Sequence, residues 1–226
     1  MGIIYVFWTG ENTMTSSRRN SLANLRELSE CDVVLVTIWN LDRYILPDHP
    51  LHPAYEYLSE TQKSDYLRGY FMHFYGGGYS DVKGTTGSWR QAFNEFEESD
   101  AWVCGYKEIR GGSTGDLAEK WSELVGNGAF ICKPKTPLTE EWYIELHRML
   151  DANLEQLKLH PANDPRDHAG TGSGYPLTWD VMSCKIFHKI CYKYKDKLIQ
   201  TLPYPRIICS RTYRNIFNPS IIHLDA

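Results

Sequence analysis

Residues 3–38, IIYVFWTGENTMTSSRRNSLANLRELSECDVVLVTI, decide the fold class. Residues 3–8 form an uninterrupted run of β-branched and aromatic side chains, which is typical of a strand buried on both faces. Leucines at intervals of three predict a helix over residues 16–29, and residues 33–38 form a second apolar run. Strand, helix and strand in this order predict an α/β fold built on a mainly parallel sheet.

The clearest helix pattern in the chain lies between residues 59 and 75. Ser59 and Gln62 have the spacing of a capping box, and apolar residues then recur at helical intervals. These residues are Leu67, Tyr70, Phe71, Phe74 and Tyr75. Three glycines at 76–78 end the helix, because glycine is unfavourable inside one, and we expect a short strand that ends at Asp81.

The rest of the chain continues the alternation of strands and helices. A long irregular loop over residues 160–176 is typical of a lid or a binding loop. No repeat or linker divides the sequence, so we expect a single domain over residues 1–226, complete or as one domain of a longer protein. The other predicted elements are a helix around residues 89–96, strands at 101–106 and 128–132, a helix that begins at Thr139 and a helix that begins near Thr178.

The composition excludes several classes of protein. With 42% hydrophobic and 23% charged residues, the chain is neither disordered nor fibrous. Its net charge is −4, so it lacks the overall positive field that attracts nucleic acid or anionic lipid, and we expect neither as a partner. Lys189, Lys193, Lys195 and Lys197 are interpreted as a solvated face.

The cysteines and the N-terminus bear on the compartment. The six cysteines form no C-x-x-C pair and have no histidine at zinc-finger spacing, so we expect them to be reduced and mostly packed in the core. The N-terminus lacks the basic and long apolar regions of a signal peptide, and no apolar run is long enough to span a membrane. These features predict a soluble, cytoplasmic protein.

Two neighbouring segments carry the chemistry. In the first, Asp65 and Arg68 are three residues apart on one helix face and can form a polar unit at the rim of a site. The second leads from the glycines to Asp81, at the strand end where open α/β sheets bind ligands. A carboxylate there suits Mn²⁺ or Mg²⁺ carrying a diphosphate.

The segments Ser64-Asp65-x-x-Arg68 and Gly76-Gly77-x-Tyr79-x-Asp81 together resemble the SD-x-x-R … GG-x-Y-x-D-x-D signature of DXD-motif glycosyltransferases. That group includes yeast-type mannosyltransferases, capsular-polysaccharide sugar transferases and glucosylating clostridial toxins. The opening of the chain also looks like glycosyltransferases encoded by large algal viruses. The resemblance implies a GT-A fold, a mixed, mainly parallel sheet flanked by helices. It also implies metal-assisted transfer of a hexosyl or deoxyhexosyl group from a nucleotide-diphosphate sugar, UDP-sugar being favoured, to a carbohydrate hydroxyl.

The resemblance implies a role for each matching residue in donor binding. Asp65 would bond the ribose and orient Arg68, and Arg68 would reach the donor sugar or the diphosphate. Phe7 or Trp8, together with Thr9, would form the wall on which the base stacks. Asn127 would contact hydroxyls of the donor sugar.

The resemblance places the metal on Asp81, with His223 as the second ligand and Asp225 as its competitor. The sequence departs from the signature at Lys83, which stands where the family has its second aspartate. A charged lysine cannot ligate a metal, but it supplies a fixed cation near the diphosphate. We therefore expect weakened metal dependence, with Lys83 helping to stabilise the departing diphosphate.

The catalytic base is not determined by the sequence. Asp180 is the first candidate, with Asp116 and Asp167 behind it, and inversion and retention both remain open. His168 beside Asp167 has the composition of a catalytic pair, but because it lies in a loop it is interpreted as a solvated pair.

Two alternatives stand beside the enzyme. One is a non-catalytic module that binds a nucleotide sugar or a glycan through a degenerate motif. The other is a metal-dependent phosphohydrolase, against which the chain shows no H-x-H or D-x-H-x-D spacing.

Aromatic residues make up 13% of the chain, and five of them fall at predicted strand ends or in the loop, where rings can stack on a base or a sugar. They are Phe7, Trp8, Tyr79, Tyr175 and Trp179. The competing interpretation is that these rings, like most others in the chain, belong to the core.

Overall fold

A computed structural model describes residues 2–113 and 115–206. The predicted α/β class is confirmed: a six-stranded mixed sheet of mostly parallel strands is flanked by helices. The strands are β1 Ile3–Trp8, β2 Asp32–Thr37, β3 Gly77–Ser80, β4 Gly84–Thr85, β5 Val103–Lys107, β6 Val125–Cys132, β7 Leu198–Ile199 and β8 Pro205–Arg206. The α-helices are α1 Ser16–Leu28, α2 Glu60–Phe74, α3 Arg90–Glu98, α4 Pro137–Leu159 and α5 Lys189–Lys193.

The large sheet has the strand order β2, β1, β3, β6, β5, β7, while β4 and β8 pair separately. Strand β1 runs parallel to both β2 and β3, whereas β6 runs antiparallel to β3 and β5. This arrangement has a consequence for the site. The carboxyl ends of β1, β3 and β5 and the amino end of β6 all meet at one edge of the sheet.

Alternation along β1 divides the core between the two faces of the sheet. Tyr5 and Phe7 pack in one apolar cluster with α2 and α4, and Ile4 and Val6 pack in the other with α1 and α3. All four side chains are buried, as the apolar run predicts for a central strand. None of the described helices combines the length and the apolar character that crossing a bilayer requires.

Helix α2 is bounded as its sequence predicts. The Ser59 side chain accepts a hydrogen bond from the Gln62 amide at the N-terminus. At the other end Gly76 and Gly77 have φ angles of 65° and 81°, a region that glycine adopts without steric cost. A Cβ on Gly76 would also lie 2.5 Å from Cδ of Pro134. The glycines therefore allow the sharp turn that brings the chain from α2 into β3.

Two predicted helix boundaries are wrong. Helix α4 begins at Pro137, two residues earlier than expected, because Thr136 caps it and forms a capping box with Thr139. The helix expected near Thr178 begins at Ser183 as a six-residue π-helix, Ser183–His188, and continues into α5. Residues 178–182 belong instead to the long loop before it.

The long loop is tied to the start of α2. Gln62 does not complete the capping box with its side chain; its Oε1 accepts from the Tyr175 hydroxyl at 2.5 Å and its Nε2 donates to the Thr178 carbonyl at 3.0 Å. Within the loop, Asp167 accepts from the hydroxyls of Thr171 and Ser173 at 2.5 and 2.6 Å. Asp167 is buried, so its interpretation as half of a solvated pair with His168 is wrong.

Candidate functional site

A cavity of about 480 Å³ opens at the sheet edge where β1, β3 and β5 end and β6 begins. The sequence motif lies in its wall, because Asp65, Arg68, Asp81 and Lys83 all line it. Phe7, Trp8, Thr9 and Asn127, which the resemblance implied for donor binding, line it as well. The fold therefore brings these residues together from α2, β1, β6 and the chain just after β3.

Asp65 and Arg68 form a buried ion pair on α2, not a surface pair. Arg68 also donates from Nη1 to the Asn127 carbonyl at 2.6 Å, and its guanidinium lies over the Tyr79 ring, 4.8 Å from the centroid. Burial raises the pKa of Asp65 to about 6, although the Arg68 charge opposes that rise. The Nε of Arg68 has no hydrogen-bond partner among the described residues.

Asp81 is held from two sides. The Tyr79 hydroxyl donates to Asp81 Oδ1 at 2.5 Å, and Lys83 Nζ lies 3.3 Å from Oδ2. The Asp81 amide donates to the Gly128 carbonyl at 2.8 Å, which fixes the backbone at the end of β3. Burial raises the pKa of Asp81, but Lys83 and Arg68 lower it more, so the net pKa is lowered and the side chain is a carboxylate.

Asp81 offers oxygen atoms of the kind that Mg²⁺ and Mn²⁺ prefer, and such ions commonly take only one or two protein carboxylates with phosphate oxygens and water. Within residues 2–113 and 115–206 no group of three His, Cys, Asp or Glu side chains converges on a point that could hold an ion. His223 and Asp225 lie outside the described residues.

The wall predicted for stacking of the nucleotide base, formed by Phe7 or Trp8 together with Thr9, is present only in part. Phe7 is buried and packs on Phe71 and Tyr79, with ring centroids 4.9 and 5.5 Å apart, so its ring belongs largely to the core. Trp8 is half-buried, and its Nε1 donates to the Asn12 carbonyl at 2.7 Å. Thr9 donates from its hydroxyl to the Glu60 carbonyl at 2.7 Å. Trp8 is the ring of this wall that keeps an accessible face.

The other aromatic candidates divide in the same way. Tyr79 and Tyr175 are buried and hydrogen-bonded to Asp81 and Gln62, so stacking on a ligand is not available to them. Trp179 is 38% exposed and lines the cavity, with the Arg166 guanidinium 4.8 Å from its ring centroid.

Sequence reasoning missed several charged residues of the cavity. Arg18, in the first turn of α1, donates from Nη1 to the Val82 carbonyl at 3.2 Å, and Arg166 reaches the cavity from the long loop. Arg18 lies in the first turn of the helix that follows the first strand, and this position alone could have indicated it. No sequence pattern predicts Arg166 as a cavity residue, because its placement depends on how the long loop packs on α2.

A second charged cluster lies where β5 ends. Glu108 and His188 are both buried, with His188 Nε2 3.2 Å from Glu108 Oε2. Cys184 lines the cavity beside them and accepts a hydrogen bond from Asn127 Nδ2 at 3.6 Å. Burial lowers the pKa of His188, but Cys184 and Glu108 raise it more, to about 9. The four-residue spacing of Cys184 and His188 is visible in the sequence, whereas Glu108 is not linked to them by any local pattern.

The candidate catalytic bases are not in the cavity wall. Asp180 accepts from the Thr178 hydroxyl at 3.0 Å, and Lys185 Nζ lies 3.1 Å from the same carboxylate oxygen. Asp116 is exposed and Asp167 is engaged inside the loop. None of the three is among the residues that line the cavity.

No protein-family model matches the chain, and no curated protein matches it. Among solved structures, the chain is similar to one titled "PaToxG Glycosyltransferase", at 10% sequence identity and a TM-score of 0.48. The similarity covers 86% of this chain and 68% of that chain. A likeness this distant says nothing about the activity of the chain.

Proposed function

We propose that the chain is a glycosyltransferase that moves a sugar from a nucleotide-diphosphate sugar, preferably a UDP-sugar, to a hydroxyl of a carbohydrate acceptor. One observation carries the proposal: the Asp65–Arg68 pair and the Asp81–Lys83 pair lie in the wall of one cavity at the carboxyl edge of the sheet. This is the edge at which open α/β sheets bind nucleotides.

The cavity suits the donor in size and in chemistry. Its volume of about 480 Å³ falls within the usual range for small-molecule sites. The accessible face of Trp8 supplies a flat apolar surface for a base. Asp65, which accepts from Arg68, has a second carboxylate oxygen for a ribose hydroxyl.

Cations of the wall would receive the diphosphate. Lys83, Arg18 and Arg68 line the cavity, and fixed charges of this kind stabilise negative charge that grows on a leaving group. Asp81 would hold a divalent ion together with diphosphate oxygens, and the ion would offset part of the same charge. Lys83, already beside Asp81, would share that task and reduce the dependence on metal.

The acceptor side requires a base for the attacking hydroxyl. Asp180 remains a candidate from the sequence, but Glu108 is the carboxylate that lines the cavity at the end of β5. Strands β1 and β5 are separated in the sheet by β3 and β6, so Trp8 and Glu108 mark different ends of the edge. We place the nucleotide base near Trp8 and the acceptor hydroxyl near Glu108.

A thermal-shift series with UDP-, GDP- and CMP-sugars, each with and without Mn²⁺, tests donor binding. A ligand at one hundred times its Kd stabilises the folded state by about 2.7 kcal/mol, which raises the Tm of a chain this size by about 5 to 10 °C. We expect that shift for UDP-sugars and its loss in Asp81→Ala. Glu155→Ala, which removes an exposed carboxylate on α4, is the matched control and should keep the shift. No shift with any of the nucleotide sugars contradicts the proposal.

A second candidate function is a binding module without turnover. It is favoured by the contact of Lys83 Nζ with Asp81 Oδ2 at 3.3 Å, which engages one of the two carboxylate oxygens of Asp81 with a cation. Turnover distinguishes the two functions. It is measured as hydrolysis of a bound UDP-sugar or as transfer of its sugar to an added glycan. Turnover that disappears in Asp81→Ala supports the enzyme, and tight binding with no turnover supports the module.

A further inference from the structure

Helix α2 presents a stripe of polar side chains to the cavity. Glu60, Thr61, Ser64, Asp65 and Arg68 all line it, and their spacing places them along one face of the helix. Glu60 precedes Asp65 by about 7.5 Å along the helix axis, at 1.5 Å per residue. The stripe therefore runs from Glu60, past Asp65, which we assign to the ribose, to Arg68, which we assign to the diphosphate.

Glu60 lies beside the wall that we assign to the nucleotide base. Its backbone carbonyl accepts from the Thr9 hydroxyl at 2.7 Å, and a Cβ on Gly10 would lie 3.6 Å from Glu60 Cγ. Trp8, which directly precedes Thr9, lines the same cavity with a half-buried ring. The Glu60 side chain is thus at the end of the cavity where a base would stack.

The carboxylate of Glu60 is satisfied at one oxygen and not at the other. Lys63 Nζ donates to Oε1 at 3.1 Å, whereas Oε2 is buried and has no hydrogen-bond partner among the described residues. A buried acceptor without a donor costs free energy, because the loss of its contacts with water is not repaid. A ligand that brings an N–H group to Oε2 would remove that cost, and a phosphate, which is also negative, would not.

We propose that Glu60 selects the base of the donor nucleotide, with Oε2 accepting a hydrogen bond from the ring N–H that uracil and guanine carry. The inference rests on the proposed nucleotide site. Cytosine and adenine have an unprotonated ring nitrogen at the corresponding position, and its lone pair is repelled by the carboxylate. Their exocyclic amines reach Oε2 only if the base shifts along its edge, which the ribose contact with Asp65 opposes. The wrong base is rejected because the buried oxygen keeps no donor.

Calorimetric titration of the intact chain with UDP, CDP, GDP and ADP tests the selection of the base. UDP and CDP are a matched pair of the same size, and only UDP carries the ring N–H. GDP and ADP form the corresponding purine pair. We expect UDP to bind at least about tenfold more tightly than CDP, the difference that one hydrogen bond to a charged partner supplies. The affinity of GDP relative to UDP then shows which of the two ring N–H bases the cavity accommodates.

The variant Glu60→Gln assigns the preference to this side chain. A glutamine amide accepts from the uracil N–H or, after rotation, donates to the cytosine nitrogen, so the preference for UDP over CDP should fall below about threefold. Glu155→Gln is the matched control, because Glu155 also pairs with a lysine three residues later but lies on α4 and does not line the cavity. The control should keep the full preference. If Glu60→Gln does not fold, the UDP and CDP affinities of the unaltered chain still decide.

The outcomes separate this inference from the proposed function. If none of the four nucleotides binds, the nucleotide site itself is contradicted, and the selection of the base with it. If UDP binds and CDP binds equally well, the selection by Glu60 is overturned and the nucleotide site stands. A preference that is unchanged in Glu60→Gln, or an equal weakening of UDP and CDP in that variant, also overturns it, because Glu60 would then act on the ribose or on packing and not on the base.

Discussion

Helix α2 separates two regions that bury titratable groups in opposite ways. On the cavity side, Asp65 pairs with Arg68, and across the cavity His188 pairs with Glu108 and has a pKa raised to about 9. On the α4 side, the Tyr66 hydroxyl lies 3.0 Å from Nε2 of His147, whose pKa is lowered to about 4 by burial and by the neighbouring His52. The cavity side buries ion pairs, whereas on the α4 side Tyr66 meets His147 without an ion pair, and His52 Nε2 lies 2.9 Å from the exposed Asp151 carboxylate.

The difference follows from the partners that each side supplies. A charged group taken out of water is costly unless an opposite charge lies beside it, so the cavity residues occur as ion pairs. Tyr66 instead accepts from the His52 amide at 3.1 Å and meets a neutral imidazole, which satisfies both groups without charge. On the cavity side, Arg68 and Lys83 line the wall and are available to a ligand with negative charge.

The largest expected effect comes from breaking a pair on the cavity side. Arg68→Met leaves the buried Asp65 carboxylate without its counter-ion, and we expect the free energy of unfolding to fall by about 3 to 5 kcal/mol. Asp65→Asn/Arg68→Met removes both charges and should lose much less. Urea denaturation of the two variants measures the difference. Equal losses would show that the pair contributes through packing and not through charge.

The buried imidazolium should make stability depend on pH above neutrality. Since the pKa of His188 is higher in the folded state than its usual value of 6.5, its stabilising contribution is present below pH 6.5 and is lost as the pH rises to about 9. The loss over that interval is about 3 kcal/mol. Urea denaturation at pH 6.5 and at pH 9 gives the slope, and His188→Gln should reduce it. A slope that is the same in the variant assigns the effect to other groups.

The short-range part of the site could be predicted from the sequence. Helix periodicity places Asp65 and Arg68 on one face of α2, and Asp81 follows the short strand that comes after the glycine turn. Their common location therefore needs only these local rules and the parallel pairing of β1 with β3. The wall residues contributed by β5, β6 and the long loop could not be placed. The antiparallel insertion of β6 between β3 and β5 brings the amino end of β6, and not its carboxyl end, to the edge where β3 and β5 end.

The sequence also could not predict which aromatic rings are buried. Phe7 and Tyr79 end up on one face because the register places Tyr5 opposite Tyr79, and α2 then covers both rings. Trp8, the next residue along β1, points to the other face and stays half-buried. The alternation of a strand was visible, but which face carries helix α2 depends on pairings far apart in the chain.

A smaller effect is expected from a hydrogen bond on the α4 side. Tyr66→Phe removes the acceptor of the His52 amide and the partner of His147, and we expect a loss of about 1 to 2 kcal/mol in the free energy of unfolding. The binding of UDP, measured by calorimetry, should be unchanged, because Tyr66 does not line the cavity. A large change in nucleotide affinity would mean that the two sides of α2 are coupled.

The smallest expected effect has the opposite sign to that of His188. The folded-state pKa of His147 is lowered, so its contribution is present above pH 6.5 and is lost as the pH falls toward 4, because the unfolded chain then binds the proton more readily. The ring is only half-buried, and solvent screening reduces the expected loss to about 1 kcal/mol between pH 6.5 and pH 5. His147→Gln keeps an acceptor for the Tyr66 hydroxyl and should remove this slope. Urea denaturation at the two pH values gives the change in the free energy of unfolding for the variant and for the unaltered chain. The difference between these two changes is the contribution of His147. It excludes the contribution of Asp65, whose raised pKa acts in the same pH interval with the opposite sign.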